Sequence, residues 1–390
     1  MKFLFTPVLN SVKDIVWGLE ELGHNVIVLE NTIFDPNSSD ANSNKVLSET
    51  LSLLDIDYVI SPCFIPSVAN VCYESDTPYI SWTYDSPLIS LFTESIYHPT
   101  NYIFVFDRDE YLRLEKLQLP HLYHMPLAAN VSRIGALEIS AEDERTYSHA
   151  ISFVGSLYEQ NKYNELIQGL PEEVQVELKS YLTQNVCNWS KKRSWPSLSD
   201  ETIAFMKNVL GADPHAVAPL LDESTYLGIL FLSRKLAEME RITVLNAASS
   251  ILPVDLYTRS TSDFLQNVRT HGHVDYYTTT NKIFFLSKIN LNITLPSIES
   301  GIPQRIFDIM SCGGFVLTNY QEELSDIFEI GKEIEVYHNI EELVQKCVYY
   351  LTHEEERLNI AINGYQKVCN SFSYPHQLQK IIDIVKENPS

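Results

Sequence analysis

The stretch PSIESGIPQRIFDIMSCGGFVLTN, residues 296–319, is the most informative part of the sequence. Its second proline favours the first turn of a helix near 303–312, and the glycine pair at 313–314 ends that helix. An apolar run at 315–318 then reads as a buried strand. A helix followed directly by a buried strand is typical of a parallel sheet with helices on its faces.

The same helix is a candidate nucleotide site. Its first backbone amides can take an anion, Arg305 adds charged donors, and Asp308, one turn deeper, can accept hydrogen bonds from ribose hydroxyls. The alternative is an ordinary Arg305–Asp308 ion pair on a solvated helix, worth a few tenths of a kcal/mol. The candidate residues of this segment for binding the nucleotide are Ser300, Gly301, Ile302, Pro303, Arg305 and Asp308.

Strand and helix patterns alternate through most of the chain. A β-α-β opening spans residues 3–29, and the segment 31–45 is polar and reads as a surface loop. Further apolar runs predict strands at 58–60, 79–82, 102–106, 150–154, 242–245, 254–257 and 289–293. The fold class expected from this rhythm is α/β, with two Rossmann-like domains facing a cleft.

The predicted domains follow from changes in composition. Residues 1–148 form an N-terminal Rossmann-like domain that ends in the polar, acidic linker 136–147. Residues 149–370 form a second domain, which contains the candidate nucleotide site and a helical insertion at about 165–240. The pattern breaks at Phe372–Pro375 and restarts as an apolar stripe, so residues 371–390 are expected to be a helix that returns to the N-terminal domain.

Composition excludes several classes of protein. The formal net charge of −23 opposes binding to nucleic acid or anionic lipid, so neither is an expected partner. The six cysteines form no C-x-x-C pair, which gives a zinc site little support and fits a reducing, cytoplasmic location. The first apolar run is too short for a signal peptide, and no run is long enough to span a bilayer.

Several ordered pieces resemble one family. SKINLNITLPSIESGIPQRIFDIMSCGGFVLTNYQEEL at 287–324 and YYLTHEEERLNIAINGYQKV at 349–368 resemble the C-terminal domain of CgeB-like (spore maturation protein-like) GT-B glycosyltransferases. The remaining matching pieces are PYISWTYDSP, IFVFDRDEY, MPLAAN and ISFVGSLYEQNKY. The resemblance implies a GT-B fold, a nucleotide-sugar donor held by the C-terminal domain, no obligatory metal and no cofactor besides that co-substrate.

The resemblance also implies roles for individual residues. An acidic residue on the helix holds the ribose, and here Asp308 stands where relatives often have the longer Glu. Gly155 and Ser156 form the loop that approaches the donor phosphate, and Lys288 is a phosphate candidate. HGHVDYY at 271–277, with His273 and Val274, is expected to read the base through backbone groups. Tyr158 is one of several aromatic residues that could stack on a sugar or base.

Candidates for catalysis lie in the N-terminal half. Asp85 follows a predicted strand and could be the base that deprotonates an acceptor, or it could cap a turn with Ser86 and Pro87. His98 is a second candidate base, although a histidine at a turn is more often structural. Asp107-Arg108-Asp109 looks like a D-x-D metal motif, but a turn role is favoured, and no metal site is predicted.

The expected function is transfer of a sugar from a nucleoside-diphosphate sugar, with UDP as the expected nucleotide, to a protein or cell-surface glycan acceptor. Two alternatives remain open. One is a catalytically inactive GT-B protein that binds a sugar or nucleotide and acts in assembly, and the other is a GT-B sugar epimerase. Fold alone does not choose among them.

Overall fold

The chain forms two compact units, each built on one parallel β-sheet. The structure is a computed structural model that describes residues 1–8, 13–29, 32, 34–190, 195–211 and 213–389. The first unit consists of Met1–Ala128, Ala212–Tyr226 and Phe372–Ser390. The second consists of Ala129–Gly211 and Leu227–Ser371. The first unit therefore ends its main segment at Ala128, before the predicted boundary at 148.

The described residues contain twelve strands and eighteen α-helices. The strands are β1 (Lys2–Phe5), β2 (Asn25–Val28), β3 (Tyr58–Ser61), β4 (Tyr79–Trp82), β5 (Asn101–Val105), β6 (Leu122–His124), β7 (Ile151–Val154), β8 (Val254–Tyr257), β9 (Val268–His271), β10 (Ile289–Asn292), β11 (Val316–Asn319) and β12 (Glu335–Tyr337). The helices are α1 (Lys13–Glu21), α2 (Ala41–Leu53), α3 (Pro66–Glu74), α4 (Arg108–Glu115), α5 (Ser132–Gly135), α6 (Ala141–Tyr147), α7 (Lys162–Leu166), α8 (Glu172–Asn185), α9 (Asp200–Leu210), α10 (Pro214–Val217), α11 (Glu223–Gly228), α12 (Arg234–Ser249), α13 (Thr279–Leu286), α14 (Gln304–Ser311), α15 (Leu324–Ile327), α16 (Ile340–Thr352), α17 (Glu354–Ser371) and α18 (Tyr374–Glu387).

The first unit carries a six-stranded parallel sheet in the order β2-β1-β3-β4-β5-β6. The predicted β-α-β opening is present as β1, α1 and β2, with residues 9–12 lying outside the described part. The segment 31–45 is not entirely a loop, because α2 begins at Ala41. Asp40 caps this helix by accepting the backbone amide of Ser43 at 2.7 Å. The helix buries few residues, so its apolar signal is weak in the sequence.

The last helix, α18, belongs to the first unit and packs against α1. An ideal Cβ on Gly18 of α1 would lie 2.7 Å from Leu378 Cδ1, so the glycine permits the close approach of the two helices. Gln377 donates to the carbonyl of Pro126 at 2.8 Å, and Tyr102 donates to the carbonyl of Asn388 at 2.7 Å. An apolar stripe on the C-terminal helix and polar anchors along it thus hold the end of the chain on the first sheet.

The second unit carries a six-stranded parallel sheet in the order β12-β11-β10-β7-β8-β9. Side chains alternate between its faces. Ile151 and Leu256 enter an apolar core with Val244 of α12. Ser152 and Asp255, which pair in register on β7 and β8, are on the other face and are buried polar residues. The two sheets confirm the predicted α/β class.

Three sequence-based expectations for the second unit are corrected by the structure. The run 242–245, read as a strand from its β-branched residues, lies inside α12, because the helical spacing of its buried residues decides the packing. The expected linker 136–147 contains α6, which begins with a capping box formed by Ser140 and Asp143. The described residues of the region 165–240 are mainly helical, but Ala212–Tyr226 belongs to the first unit.

Candidate functional site

The candidate site of the second unit lies at the carboxyl edge of its sheet. The loops after β7, β9 and β10 all leave this edge, because the strands are parallel. The loop after β10 leads into α14. Ligand sites in open parallel sheets form at this edge. The sequence-predicted residues therefore divide into those that the fold brings to this edge and those that it does not.

The loop after β7 is compact and held by its own polar groups. The amide of Gly155 donates to the carbonyl of Tyr257 at 3.1 Å, and an ideal Cβ on Gly155 would lie 3.1 Å from Phe153 Cζ. Ser156 Oγ accepts the amide of Tyr158 at 3.0 Å, and Tyr158 has a left-handed backbone with φ of 59°. The predicted phosphate loop is thus a tight turn in which a larger residue at 155 would crowd its neighbours.

A buried arginine supports this loop from below. Arg241 of α12 donates to the carbonyl of Ser156 and, at 3.1 Å, to the carbonyl of Ile293, which follows β10. Its guanidinium carbon lies 4.5 Å from the ring centroid of Tyr158, and Nε has no hydrogen-bond partner in the part of the chain that is described. Arg241 therefore joins two of the loops at the carboxyl edge.

Sequence reasoning missed Arg241 because residues 242–245 were read as a strand. The available signal was helical periodicity. Ala237, Val244 and Ala248 are buried at helical spacing in α12, and Arg241 occupies a position on the same buried face. A charged residue at a core position of a helix indicates either a buried ion pair or a functional cation.

The start of α14 presents an arginine beside a buried carboxylate. Pro303 is the N-cap residue, one position before the helix, and Ile306 on the opposite face is fully buried. Arg305 Nη1 lies 3.5 Å from Asp308 Oδ2, and the Asp308 side chain is only 2% exposed. The pair is therefore not a solvated surface pair. Arg305 Nη1 itself is buried and makes no hydrogen bond within the described part of the chain.

The second oxygen of Asp308 is held by three donors. Tyr276 donates to Oδ1 at 2.7 Å, Gln304 at 3.1 Å and Arg133 at 3.2 Å. Tyr276 lies in the segment 271–277, so the structure brings this predicted segment to α14. Arg133, which lies on the short helix α5, is a second arginine that no sequence pattern singled out. Oδ1 thus accepts from three donors, whereas among the described residues Oδ2 is paired only with Arg305.

Two arginines lie beside the Asp308 carboxylate. The guanidinium of Arg133 lies 4.8 Å from the Tyr276 ring centroid, and that of Arg305 lies 5.8 Å from the same centroid. Burial lowers the pKa of Arg241, and the charge of Arg305 contributes in the same direction. Arginines gathered at one edge of a sheet, in a chain of net charge −23, suit an anionic ligand.

Other predicted residues of this edge are structural or exposed. Ser300 Oγ donates to Glu323 Oε1 at 2.9 Å, and the Ser300 carbonyl accepts the Glu323 amide. Gly301 and Ile302 are buried, and the Ile302 side chain belongs to the apolar core. His273 is exposed and Val274 is half-buried in the loop after β9.

Lys288 does not lie at the candidate site. It immediately precedes β10, at the amino end of that strand, and its amide donates to the carbonyl of His149, which precedes β7, at 2.8 Å. The phosphate loop and α14 follow the carboxyl ends of β7 and β10. Because the strands are parallel, Lys288 is at the opposite edge of the sheet, and the structure does not bring it to the loop and helix that form the candidate phosphate site.

The carboxyl edge of the first sheet carries Asp85 above a buried carboxyl pair. Asp85 is exposed and follows β4. Ser86 Oγ donates to Asp107 Oδ2 at 2.8 Å, and Glu110 Oε1 accepts the amide of Leu88 at 2.8 Å. Asp107 is also the N-cap of α4, which confirms its predicted turn role. The WTYDSP segment is thus fixed by buried carboxyl groups while the Asp85 side chain is exposed.

His98, the second candidate base, lies at the other edge of the first sheet. It precedes β5, and its Nε2 is 2.8 Å from Asn70 Oδ1 of α3. Its ring stacks on Tyr73 with centroids 4.3 Å apart. Asp85 follows the carboxyl end of β4, the strand beside β5, so the parallel sheet separates the two residues. The structure therefore does not bring His98 to the edge of the sheet that carries Asp85.

Glu110 is expected to make the stability of the chain depend on pH. Burial of the Glu110 carboxyl raises its pKa from the ordinary 4.5 to about 8, and the negative charge of Asp107 contributes in the same direction. The folded chain binds this proton more tightly than the unfolded chain, so the contribution of Glu110 to stability is full below about pH 4.5 and is lost as the pH rises to about 8. Glu110→Gln should therefore flatten the fall in melting temperature across this window.

Thermal unfolding followed by circular dichroism at several pH values measures this effect. The control is Glu94→Gln, since Glu94 is an exposed carboxylate in the same unit and its loss should leave the wild-type pH profile unchanged. A Glu110→Gln variant with the same pH profile as wild type would contradict the raised pKa of this group.

In the described part of the chain, no helix combines the length and the apolarity that crossing a bilayer requires.

Comparison with known proteins gives a family match for part of the chain. Residues 231–383, which contain α12, the loop after β9 and α14, match a family model described as glycosyl transferase-like. No curated protein matches the sequence.

Several solved structures share the fold. A glycosyltransferase from Rickettsia africae is 13% identical, with a TM-score of 0.56, covering 99% of this chain and 97% of that one. Anabaena HepE, in complex with UDP and glucose, is 10% identical with a TM-score of 0.55, covering 99% and 100%. Sucrose-phosphate synthase from Thermosynechococcus elongatus is 9% identical with a TM-score of 0.55, covering 99% and 98%. Because the identities are low, the likeness establishes the fold alone, which is the GT-B fold of these glycosyltransferases.

Proposed function

We propose that this chain is a CgeB-like GT-B glycosyltransferase that moves a sugar from a UDP-sugar to a protein or cell-surface glycan acceptor in the cytoplasm. One observation carries the proposal: the buried Nη1 of Arg305, at the start of α14 and beside the buried Asp308, has no hydrogen-bond partner among the residues that the structure describes. An unsatisfied charged donor costs free energy in the free protein, and an anionic ligand would remove that cost. This feature lies within the glycosyl transferase-like match.

The diphosphate of the donor is assigned to the start of α14 and the loop after β7. The first amides of a helix have no partner within the helix, and Arg305 adds a charged donor beside them. Arg241 holds the loop around Ser156 in place by donating to the Ser156 carbonyl, and its guanidinium adds positive charge beside that loop. These fixed donors would stabilise the charge that develops on the departing diphosphate during transfer.

The ribose is assigned to Asp308. Its Oδ1 is already held by Tyr276, Gln304 and Arg133, so the carboxylate is oriented before the ligand arrives. Its Oδ2 has only the 3.5 Å contact with Arg305 and can accept a ribose hydroxyl. This arrangement uses one oxygen for positioning and the other for binding.

The base is assigned to the loop after β9. Tyr276 of this loop contacts Asp308, so the loop adjoins the proposed ribose position. Backbone groups at His273 and Val274 would hydrogen-bond the base. UDP is favoured as the nucleotide because the Anabaena HepE structure contains it and has the same fold. Asp85 of the first unit is proposed to act on the acceptor hydroxyl.

UDP is expected to bind without a divalent metal. The proposed phosphate contacts are backbone amides and a guanidinium, and the residues assigned to the diphosphate include no carboxylate that would hold a metal against it. Isothermal titration calorimetry with UDP should therefore give the same dissociation constant in EDTA and in excess Mg²⁺. Loss of binding in EDTA would contradict this expectation.

The catalytic proposal is tested by product analysis after a thermal-shift screen of nucleoside-diphosphate sugars. A ligand that binds the folded chain raises its melting temperature by mass action. Release of UDP and transfer of the sugar to an acceptor would support a transferase. Binding with no UDP release would instead indicate an inactive binding protein, and an isomerised donor would indicate an epimerase.

A further inference from the structure

Three side chains capable of binding a metal converge on the polar face of the second sheet. Asp255 lies on β8, His271 is the last residue of β9, and His149 lies two residues before β7. Asp255 is in register with Arg269, so His271, two residues further along β9, lies on the same face of the sheet. None of the three belongs to the proposed sugar-donor site.

The potential ligand atoms of the three residues are close together. His271 Nε2 lies 2.7 Å from Asp255 Oδ1, and His149 Nδ1 lies 3.1 Å from Asp255 Oδ2. All three ligand atoms lie within 4.8 Å of one another, and no other such group of His, Cys, Asp or Glu is found among the described residues. In a tetrahedral zinc site with bonds of about 2.0–2.1 Å, neighbouring ligand atoms are about 3.3 Å apart. Small rotations of these side chains would therefore give that geometry.

We propose that His149 Nδ1, His271 Nε2 and a carboxylate oxygen of Asp255 bind one Zn²⁺ ion. Two imidazoles and one carboxylate form a ligand set that zinc accepts, with a fourth position left for water. His149 and Asp255 are buried, whereas the His271 side chain is 38% exposed. The ion would thus enter, and the water would sit, on the side of His271.

Neighbouring groups hold both imidazoles in position. Tyr257 Oη lies 2.7 Å from His149 Nε2, and the Tyr257 ring stacks on the His271 ring with centroids 4.6 Å apart. A partner on the second ring nitrogen fixes the orientation of a metal-binding histidine. On zinc binding each neutral imidazole would keep its single proton on the ring nitrogen that does not face the ion, so Nε2 of His149 would donate to Tyr257 Oη.

The site would fix the start of the loop after β9. His271 is the residue directly before the segment 272–277, and Asp255 and His149 anchor it to the neighbouring strands. Arg269 Nη1, 3.8 Å from Asp255 Oδ2, lies in the same region and would balance part of the carboxylate charge in the absence of metal. The zinc proposal does not depend on the proposed function, because metal binding is measured without any nucleotide.

The test uses the full chain, stripped with EDTA and then dialysed free of it. Titration with Co²⁺ should give the visible absorption of a tetrahedral N/O site with one equivalent bound, and Zn²⁺ should abolish that absorption and raise the melting temperature. His271→Gln should weaken Zn²⁺ binding by at least about 100-fold, beyond the 10- to 100-fold typical of outer-shell partners. Asp255→Asn should act in the same direction.

The matched control is His338→Gln. His338 also lies beside a carboxylate, with Nδ1 3.0 Å from Glu342 Oε2, but it is outside the cluster, so this variant should bind zinc like wild type. Melting curves in EDTA establish that each variant is folded, and the partly exposed position of His271 makes that variant the decisive one. No binding by wild type, or equal affinity in wild type and His271→Gln, would overturn the proposal.

Discussion

Asp85→Asn is expected to lower the rate of sugar transfer by about 10²- to 10⁴-fold, the range typical for loss of a general acid or base. Asparagine keeps the shape and part of the hydrogen bonding of the side chain but cannot take a proton from the acceptor. Since the sugar donor is assigned to the second unit, the dissociation constant for UDP should stay within about twofold of wild type. Steady-state kinetics with saturating donor and calorimetry with UDP measure the two quantities.

The control for this variant is Asp55→Asn, because Asp55 is an exposed aspartate in the same unit outside the WTYDSP segment. If transfer by Asp85→Asn is nearly unchanged while its melting temperature falls, Asp85 is a turn residue and not the base. The stereochemistry of the product should be determined by NMR alongside the mutant. Retention of configuration would remove the need for a base on the acceptor.

Arg305→Ala is expected to weaken binding of UDP by about 10- to 100-fold, which corresponds to the loss of one or two charge-assisted hydrogen bonds. The melting temperature of the free protein should change little. Arg305 lies opposite the apolar face of α14, and Asp308 keeps its hydrogen bonds from Tyr276, Gln304 and Arg133 when Arg305 is removed. Calorimetry gives the affinity, and thermal unfolding without ligand gives the stability.

Arg234→Ala is the matched control, because Arg234 is an exposed arginine in the same unit at the start of α12. It should leave UDP affinity at the wild-type value. Unchanged affinity in Arg305→Ala would mean that Arg305 serves only as the ion-pair partner of Asp308. A large fall in melting temperature in Arg305→Ala would mean instead that the pair supports the fold.

The sequence by itself determined the α/β class and the position of α14. Both depend on local patterns: apolar runs give short buried strands, and the alternation of helix and strand gives parallel sheets. Local spacing also placed Arg305 and Asp308 on one face of the helix, and they lie together in the structure. The resemblance to a family added the loop at Gly155 and the segment 271–277, which no local pattern would have joined to α14.

Contacts between residues far apart along the chain follow from the order of the strands, so only the tertiary structure reveals them. Arg241 is 85 residues from Ser156 along the chain, and Arg133 is 175 residues from Asp308, so no local pattern connects either pair. In the sequence, Lys288 and His98 look equivalent to residues at the carboxyl edge of a sheet, because each lies beside a strand.

The direction of the strands explains why sequence patterns placed Lys288 and His98 with the residues of the candidate sites. A pattern of apolar residues identifies a strand, but the function of a flanking residue depends on whether it precedes or follows that strand in a parallel sheet. Lys288 and His98 precede their strands, whereas Gly155 and Asp85 follow theirs. The cluster of His149, Asp255 and His271 has the same origin, since it requires β7, β8 and β9 to be neighbours in register, which the sheet topology alone fixes.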